Sequence, residues 1–281
     1  MPVTPARPRV LSWLAGRLQH RRARRAAELV ADDVHFRCNI CGIDCHAPKS
    51  QLQREIPSCP GCGSTVRMRS MIHLLTAELF GRSIALPDLS PRKDIIGIGL
   101  SDAEGYAAPL ALKLSYTNTY FHKEPRLDIA ATIPADDAAG YDFIMASDVF
   151  EHIAPPVSRA FANARRLLKP RGVLIFSVPY SLAADTVEHF AELHDYRLIE
   201  VDGSWRLENR TVDGRDQVFT DLVFHGGPGS TLEMRLFSRA GLEREFAEAG
   251  FARMRVADEA VPEFGIIWPE PWSVPMVAYA T

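Results

Sequence analysis

The sequence predicts an α/β protein, a mostly parallel sheet with helices on both faces preceded by a small four-cysteine module, and three observations carry that expectation. Asp94–Leu100 (DIIGIGL), Tyr141–Ala146 (YDFIMA) and Gly172–Val178 (GVLIFSV) are short apolar runs without polar alternation, as expected of strands buried on both faces. A helical pattern fills the gap between the last two. Two C-x-x-C pairs, Cys38/Cys41 and Cys59/Cys62, stand seventeen residues apart near the start of the 281-residue chain.

Residues 1–33 read as a basic arm. Leu11, Leu14 and Leu18 fall at helical spacing, and Arg17, Arg21, Arg22, Arg24 and Arg25 crowd behind them, where cations oppose the negative end of a helix dipole. A solvated terminal arm is the preferred reading; a grip on RNA and a membrane-surface helix are the alternatives. Met1–Ser70 holds twelve Lys or Arg against five Asp or Glu, a charge of +7, which leaves -10 for the rest of the chain. A polyanionic partner would therefore be met by this N-terminal quarter.

Residues 34–68 hold the cysteines. Four thiolates from paired knuckles suit tetrahedral zinc, and Gly42, Gly61 and Gly63 stand where such knuckles turn. The spacing resembles a zinc ribbon. With Cys38, Cys41, Cys59 and Cys62 as ligands no coordination position stays open, so the expected role is structural. A redox dithiol would need only one pair beside a βαβ unit that this stretch lacks. Cys45 and His46 are spare ligand types nearby. Thiols reserved for metal, no apolar run long enough to span a membrane and no signal-peptide core lead to a cytoplasmic expectation.

Residues 69–281 are expected to form the main body. Met68, Ile72, Leu75 and Leu79 describe a linking helix that Gly81 can end. Beyond Pro91 strands and helices alternate. The clearest helix starts at Pro155–Pro156, buries Val157, Phe161, Ala164, Leu167 and Leu168, and stops at Lys169–Gly172 (KPRG). Strand, helix, strand at this spacing is a right-handed crossover unit.

Tyr141–Ile153 (YDFIMASDVFEHI), Arg159–Tyr180 (RAFANARRLLKPRGVLIFSVPY), Leu232–Phe251 (LEMRLFSRAGLEREFAEAGF) and Trp272–Ala280 (WSVPMVAYA) resemble class I S-adenosylmethionine-dependent methyltransferases. The stretches are similar to that family's fourth strand and loop, its next helix and fifth strand, its penultimate strand with helix and turn, and its closing strand. The resemblance implies a Rossmann-like, mostly parallel seven-stranded sheet and S-adenosylmethionine as methyl donor. It places Gly97 and Gly99 in the glycine-rich first loop and Ser101 where that loop usually has glycine. Asp128 resembles the acid that accepts from the adenine amino group, with Ile129 beside the ring, and Ser147 and Asp148 open the loop that passes the transferred methyl. The acid that usually begins the first loop is replaced by Gly97, so Asp102 is a substitute candidate. Only about half a dozen residues separate the candidate second strand, Tyr116–Tyr120, from Leu127, against roughly a dozen for a parallel crossover. Either the second helix is reduced or Leu127–Ala130 is not a strand, and the ribose-binding acid is left to Glu124.

His152 is the expected general base, since imidazole titrates near neutrality. Glu151 lies beside it and Tyr180 follows the fifth strand. A purely shaping role for the Glu-His pair is the alternative. His189, His194 and His225 fall in an insertion at about residues 181–230, which suits acceptor specificity. His225–Gly229 (HGGPG) also invites an α/β-hydrolase reading, but an oxyanion-hole loop should precede its nucleophile in sequence, and here it follows. The function expected is methyl transfer to oxygen or nitrogen of a small molecule or sugar, with RNA as the less favoured acceptor. The non-enzymatic alternative is a zinc-ribbon nucleic-acid-binding protein with a degenerate Rossmann body.

Overall fold

The computed structural model describes residues 32–134 and 138–281. The basic arm expected over residues 1–33 thus lies, save for its last two residues, outside the described residues.

The cysteine module opens with an antiparallel hairpin, β1 (Asp33–Arg37) and β2 (Asp44–Pro48), in register through Phe36 and Cys45. Each knuckle closes on its own backbone: Gly42 N donates to Cys38 O at 2.8 Å, and Gly63 N to Cys59 O at 2.9 Å. Helix α1 (Val66–Phe80) follows directly. Thr65 caps it by accepting from Met68 N, and Gly81 ends it in the left-handed conformation, the stop signal read in the sequence.

The body continues with β3 (Arg92–Leu100), α2 (Glu104–Lys113), β4 (Leu114–Thr119), β5 (Tyr141–Ser147), α3 (Ser158–Leu167) and β6 (Leu168–Ser177). There is no loop at Lys169–Gly172; the chain passes from α3 straight into β6. The stretch from Tyr180 to Ser238, which contains the insertion expected at about 181–230, folds as eight short strands: β7 (Tyr180–Ser181), β8 (Val187–Glu188), β9 (Asp195–Val201), β10 (Ser204–Arg210), β11 (Asp216–Phe219), β12 (Phe224–His225), β13 (Thr231–Leu232) and β14 (Arg235–Ser238). Helix α4 (Arg239–Glu248), β15 (Phe251–Val256) and β16 (Met276–Ala280) close the chain.

The main sheet has the order β15-β16-β6-β5-β3-β4. Strands β4, β3, β5 and β6 run parallel, and β16 is antiparallel to both its neighbours. Two expectations are corrected here. Six described strands stand where seven were expected, because Leu127–Ala130 is not a strand; the connection after β4 is too short for a covered parallel crossover. The Leu232–Ser238 stretch is not the penultimate strand either. Its β14 pairs with β7 and β8, and the place beside β16 is taken by β15, after α4.

Alternating side chains of the sheet feed two cores. Phe143, Met145, Val173, Ile175 and Val277 point to the face covered by α1, α2 and the cysteine module, where Phe36, Ile40, Leu52 and Val66 join the same buried cluster. Ile144, Ala146, Leu174, Phe176 and Ala278 point to the face covered by α3 and α4 through Phe161, Ala164, Leu242 and Phe246. Burying each of the larger side chains among these contributes roughly 1.5–3 kcal/mol. Arg69 is fully buried at the junction of module and body. Its guanidinium donates to Ser58 Oγ at 3.0 Å, Ser64 O at 2.9 Å, Phe264 O at 2.8 Å and Gly265 O at 3.0 Å, and it lies 4.7 Å from the Phe36 ring centroid. The insertion has a small core of its own around Phe190, Leu207, Leu232 and Met234.

Candidate active site

Parallel α/β sheets bind ligands beyond the carboxyl ends of their strands, where the loops diverge. A cleft of about 1150 Å³ opens there. Its floor is built from residues at or just beyond strand ends: Ser101 after β3, Thr119 of β4, Asp148 after β5 and Pro179 after β6. Leu127, Asp128 and Ile129 form one wall, and Asp128 Oδ1 accepts from Ala130 N at 3.0 Å, which fixes the carboxylate in its turn. The insertion supplies the opposite wall through Leu198, Leu207, His225, Leu232 and Met234.

The first loop is shaped from beneath. Asp102 is buried and does not line the cleft; its carboxylate accepts from Tyr106 and Tyr116, each at 2.6 Å, while its backbone pairs with the Asn118 side chain. Burial pushes Asp102 up to about 6, and the two phenols partly oppose that. A Cβ on Gly99 would stand 1.9 Å from Tyr116 Oη and 2.3 Å from Asp102 Oδ2. Glycine is therefore required by this polar knot under the strand. A Cβ on Gly97 would likewise stand 2.3 Å from the Phe143 ring. Ser101, at the tip, has φ 56, the left-handed region that favours glycine.

Asp148 also has a positive φ, 55, and two arginines of the cysteine module converge on it. Arg54 donates to Asp148 Oδ1 at 2.6 Å and Oδ2 at 3.0 Å, and Arg67 Nε lies 3.3 Å from Oδ2. Arg67 also holds Glu55 at 2.7 and 2.8 Å and donates to Ser147 Oγ. Burial pushes the Asp148 carboxyl upward, but the two guanidiniums and the Ser177 hydroxyl outweigh it and hold the group at about 2. Arg54, Glu55 and Arg67 all line the cleft, so the cysteine module supplies part of its wall. Sequence reading missed Arg54, which carries no local signal; it arrives through a contact 94 residues away.

Glu151, His152 and Tyr180 are placed unequally. His152 lines the cleft, with Nδ1 donating to Leu232 O at 2.9 Å, and burial lowers its basicity. Glu151 lies behind it, fully buried, 3.6 Å from His152 Nε2 and 3.7 Å from His225 Nδ1. Burial, and then the Asp148 charge, push its carboxyl well above the usual range. Tyr180 is buried in the core against α3 and α4 and does not line the cleft. Glu124 is absent from the lining too; its carboxylate accepts from Arg126 N. Of the cofactor candidates, Ser101, Asp128, Ile129 and Asp148 meet at the cleft, whereas Gly97, Gly99 and Asp102 shape the loop from behind and Ser147 is held under Arg67.

The Sγ atoms of Cys38, Cys41, Cys59 and Cys62 all lie within 4.8 Å of one another, with Cys41–Cys59 at 3.5 Å and Cys38–Cys62 at 3.6 Å. Cys45 is buried 3.7 Å from Cys59, while His46 turns outward toward Asp33. The His225–Gly229 turn holds Gly226, Gly227 and Gly229 at positive φ and brings His225 and Gly226 to the cleft wall.

No curated protein matches the chain. Among solved structures it is similar to a Burkholderia thailandensis 1,6-didemethyltoxoflavin-N1-methyltransferase bound to 1,6-didemethyltoxoflavin and S-adenosylhomocysteine, with 15% identity, 76% of this chain and 78% of that one covered, and a TM-score of 0.42. It is similar to CalS10, an amino pentose methyltransferase of Micromonospora echinaspora, with 14% identity, 78% and 93% covered, and a TM-score of 0.41. A third is an S-adenosylmethionine-dependent methyltransferase of Mesorhizobium loti, with 12% identity, 78% and 100% covered, and a TM-score of 0.46. The methyltransferase-domain family matches residues 36–255, which takes in most of the cysteine module and the main sheet without β16, and the chain belongs to that family.

Proposed function

We propose that this methyltransferase uses S-adenosylmethionine and methylates an oxygen or nitrogen of a small-molecule or sugar acceptor. The observation that supports the reading is the cleft beyond β3, β4 and β5, walled on one side by Asp128 and Ile129 and on the other by residues such as Leu198, Leu207 and His225. When bound, the cofactor supplies a methyl group made electrophilic by a sulfonium. Ser101 and the β3 tip let the backbone approach it closely, the Asp128 carboxylate is available to a nucleobase amino group, and Ile129 offers an apolar face to the ring. Asp148 is held ionised at about 2 by its arginine partners, and with Glu55 it balances the charges of Arg54 and Arg67, so that the two guanidiniums leave no net positive charge against a cationic sulfonium. The insertion closes the acceptor side with aliphatic and imidazole groups, which favours a compact acceptor over a polyanion. His152, with Nδ1 committed to Leu232 O, carries its lone pair on Nε2 at the cleft wall, and that lone pair serves as a base when no cation occupies it; Glu151 fixes the environment behind it.

We further propose that Cys38, Cys41, Cys59 and Cys62 hold a structural zinc. Their closest sulfur separations fit the edges of a tetrahedron with metal–sulfur bonds of about 2.3 Å, an edge of roughly 3.8 Å. The role follows from position: the knuckles set the path of the loop that presents Arg54 and of the helix that presents Arg67.

Isothermal titration with S-adenosylmethionine and S-adenosylhomocysteine tests the first reading. Saturable binding of both, weakened about tenfold or more in Asp128→Ala, is expected; no heat from either overturns it. Homocysteine-coupled turnover against metabolite and RNA pools then separates the acceptor classes, and turnover on RNA alone would overturn the compact acceptor.

A further inference from the structure

Glu151, His152 and His225 come together in a way that proton abstraction by one imidazole does not require. Each of the three offers one donor atom, and those atoms all lie within 4.8 Å of one another. Glu151 is fully buried, and neither of its oxygens has a hydrogen-bond partner among the other described residues. An orphaned buried carboxylate is costly.

Both imidazoles are oriented from behind. His152 Nδ1 donates to Leu232 O at 2.9 Å, and His225 Nε2 donates to Glu233 Oε2 at 3.0 Å. Carbonyl and carboxylate oxygens only accept, so the hydrogens sit on those nitrogens. The lone pairs of His152 Nε2 and His225 Nδ1 are therefore left facing Glu151, at 3.6 and 3.7 Å. The rings stand edge to face, 4.6 Å between centroids and 89° between planes. Two lone pairs and a carboxylate repel one another, and at these separations a proton on Glu151 reaches neither ring. One cation in the middle reverses the sign: bonds of about 2.1 Å span such separations at angles of roughly 120°.

We propose that Glu151, His152 Nε2 and His225 Nδ1 bind a divalent transition-metal cation at the wall of the cleft. Glu233 acts as the positioning residue. Its carboxylate behind His225 makes the carboxylate–histidine–metal relay that fixes ring tautomer and raises ligand basicity, and His189 Nε2 steadies its other oxygen at 3.0 Å. The nitrogen and carboxylate donor set suits borderline divalent ions and differs from the four-thiolate set. Two carboxylates, Glu151 and Glu233, balance a dication. Both histidines line the cleft, so the remaining coordination positions face the acceptor, and the ligand class that follows is an acceptor with a hydroxyl or carbonyl oxygen. This last step rests on the methyltransferase reading above; the metal site itself does not.

The test is Co²⁺ titration of the zinc-loaded full chain, followed by visible absorption and by calorimetry, with S-adenosylhomocysteine affinity measured on the same samples. One equivalent of Co²⁺ should bind saturably and give d–d bands without a thiolate charge-transfer band. Glu151→Gln and His225→Ala should each weaken Co²⁺ at least about 100-fold, and Glu233→Gln about 10-fold or more, with S-adenosylhomocysteine affinity unchanged. Absence of saturable Co²⁺ binding, a spectrum of thiolate character only, or wild-type affinity in His225→Ala overturns the site. Should Glu151→Gln not fold, the variants at the half-buried His225 and at Glu233 decide. Loss of nucleoside binding with Co²⁺ binding intact would overturn the cofactor reading and leave the metal site standing.

Discussion

Arg54 and Asp148 lie 94 residues apart in the chain and meet as a two-pronged ion pair at 2.6 and 3.0 Å. Removing one partner of a buried pair strands the other, at a cost of about 3–5 kcal/mol in a fully buried case; Arg67, 3.3 Å away, should hold the loss to roughly 1–3 kcal/mol in Arg54→Ala. In a double-mutant cycle with Asp148→Asn, urea unfolding should give a coupling of at least about 1 kcal/mol. Additive single effects would mean that the contact contributes nothing to stability.

Zinc removal should loosen the cleft as well as the module. Cys59→Ser, or a strong chelator, is expected to lower the melting temperature by about 10 °C or more, because the loss of several kcal/mol in a chain of this size shifts it by roughly 2–4 °C per kcal/mol. Metal content by mass spectrometry and melting by circular dichroism check both halves, and an unchanged melt with zero zinc would contradict it.

The left-handed Ser101 makes a signed prediction. Non-glycine residues cost about 1–2 kcal/mol there, so Ser101→Gly should keep or raise stability by up to about 1 kcal/mol, and Ser101→Val should lower it. Gly99→Ala should cost about 3 kcal/mol or more, since its methyl group would meet Tyr116 Oη and Asp102 Oδ2. Denaturant midpoints of the three variants give the order directly.

Asp148 and Asp102 pull the pH profile in opposite directions. Held at about 2, against 3.8 for the free side chain, Asp148 contributes roughly 2–3 kcal/mol that is complete above pH 4 and is lost as pH falls toward 2. Asp102 sits at about 6, so its contribution is present below pH 4 and is lost as pH rises through 6. Melting temperature against pH should therefore fall less steeply between pH 4 and 6 in Asp102→Asn, the remaining fall being that of Glu151, while the acid limb is kept, and Asp148→Asn should weaken that limb.

The sheet was legible because Ile95–Leu100, Phe143–Ala146 and Val173–Phe176 are apolar on both faces, and α1 because Thr65 and Gly81 punctuate it. The cysteine cluster was legible for a similar reason, since knuckle ligands are neighbours in sequence. That Asp102 sits beneath the loop and not on the cleft lining was not legible, because nothing in a linear sequence reveals that Tyr106 and Tyr116 both aim at it from below. Arg54, Glu233 and the pairing of Glu151 with His225 depend on segments distant in the chain that the insertion and the module bring together, and no local periodicity encodes such meetings. The penultimate strand was misplaced because Leu236 and Phe237 in β14 look as strand-like as β15; only the edge next to β16 decides between them.

The apolar interior runs without a break from Phe36 and Ile40 through Val66 and Met71 to Phe143 and Val277. A shortened protein beginning after the second knuckle would keep α1 and α2 but lose Phe36, Ile40 and Leu52, uncovering part of that apolar side to water, and should aggregate. The head cannot be exchanged for another as a bead on a string; head and body must be inherited, and engineered, as one object.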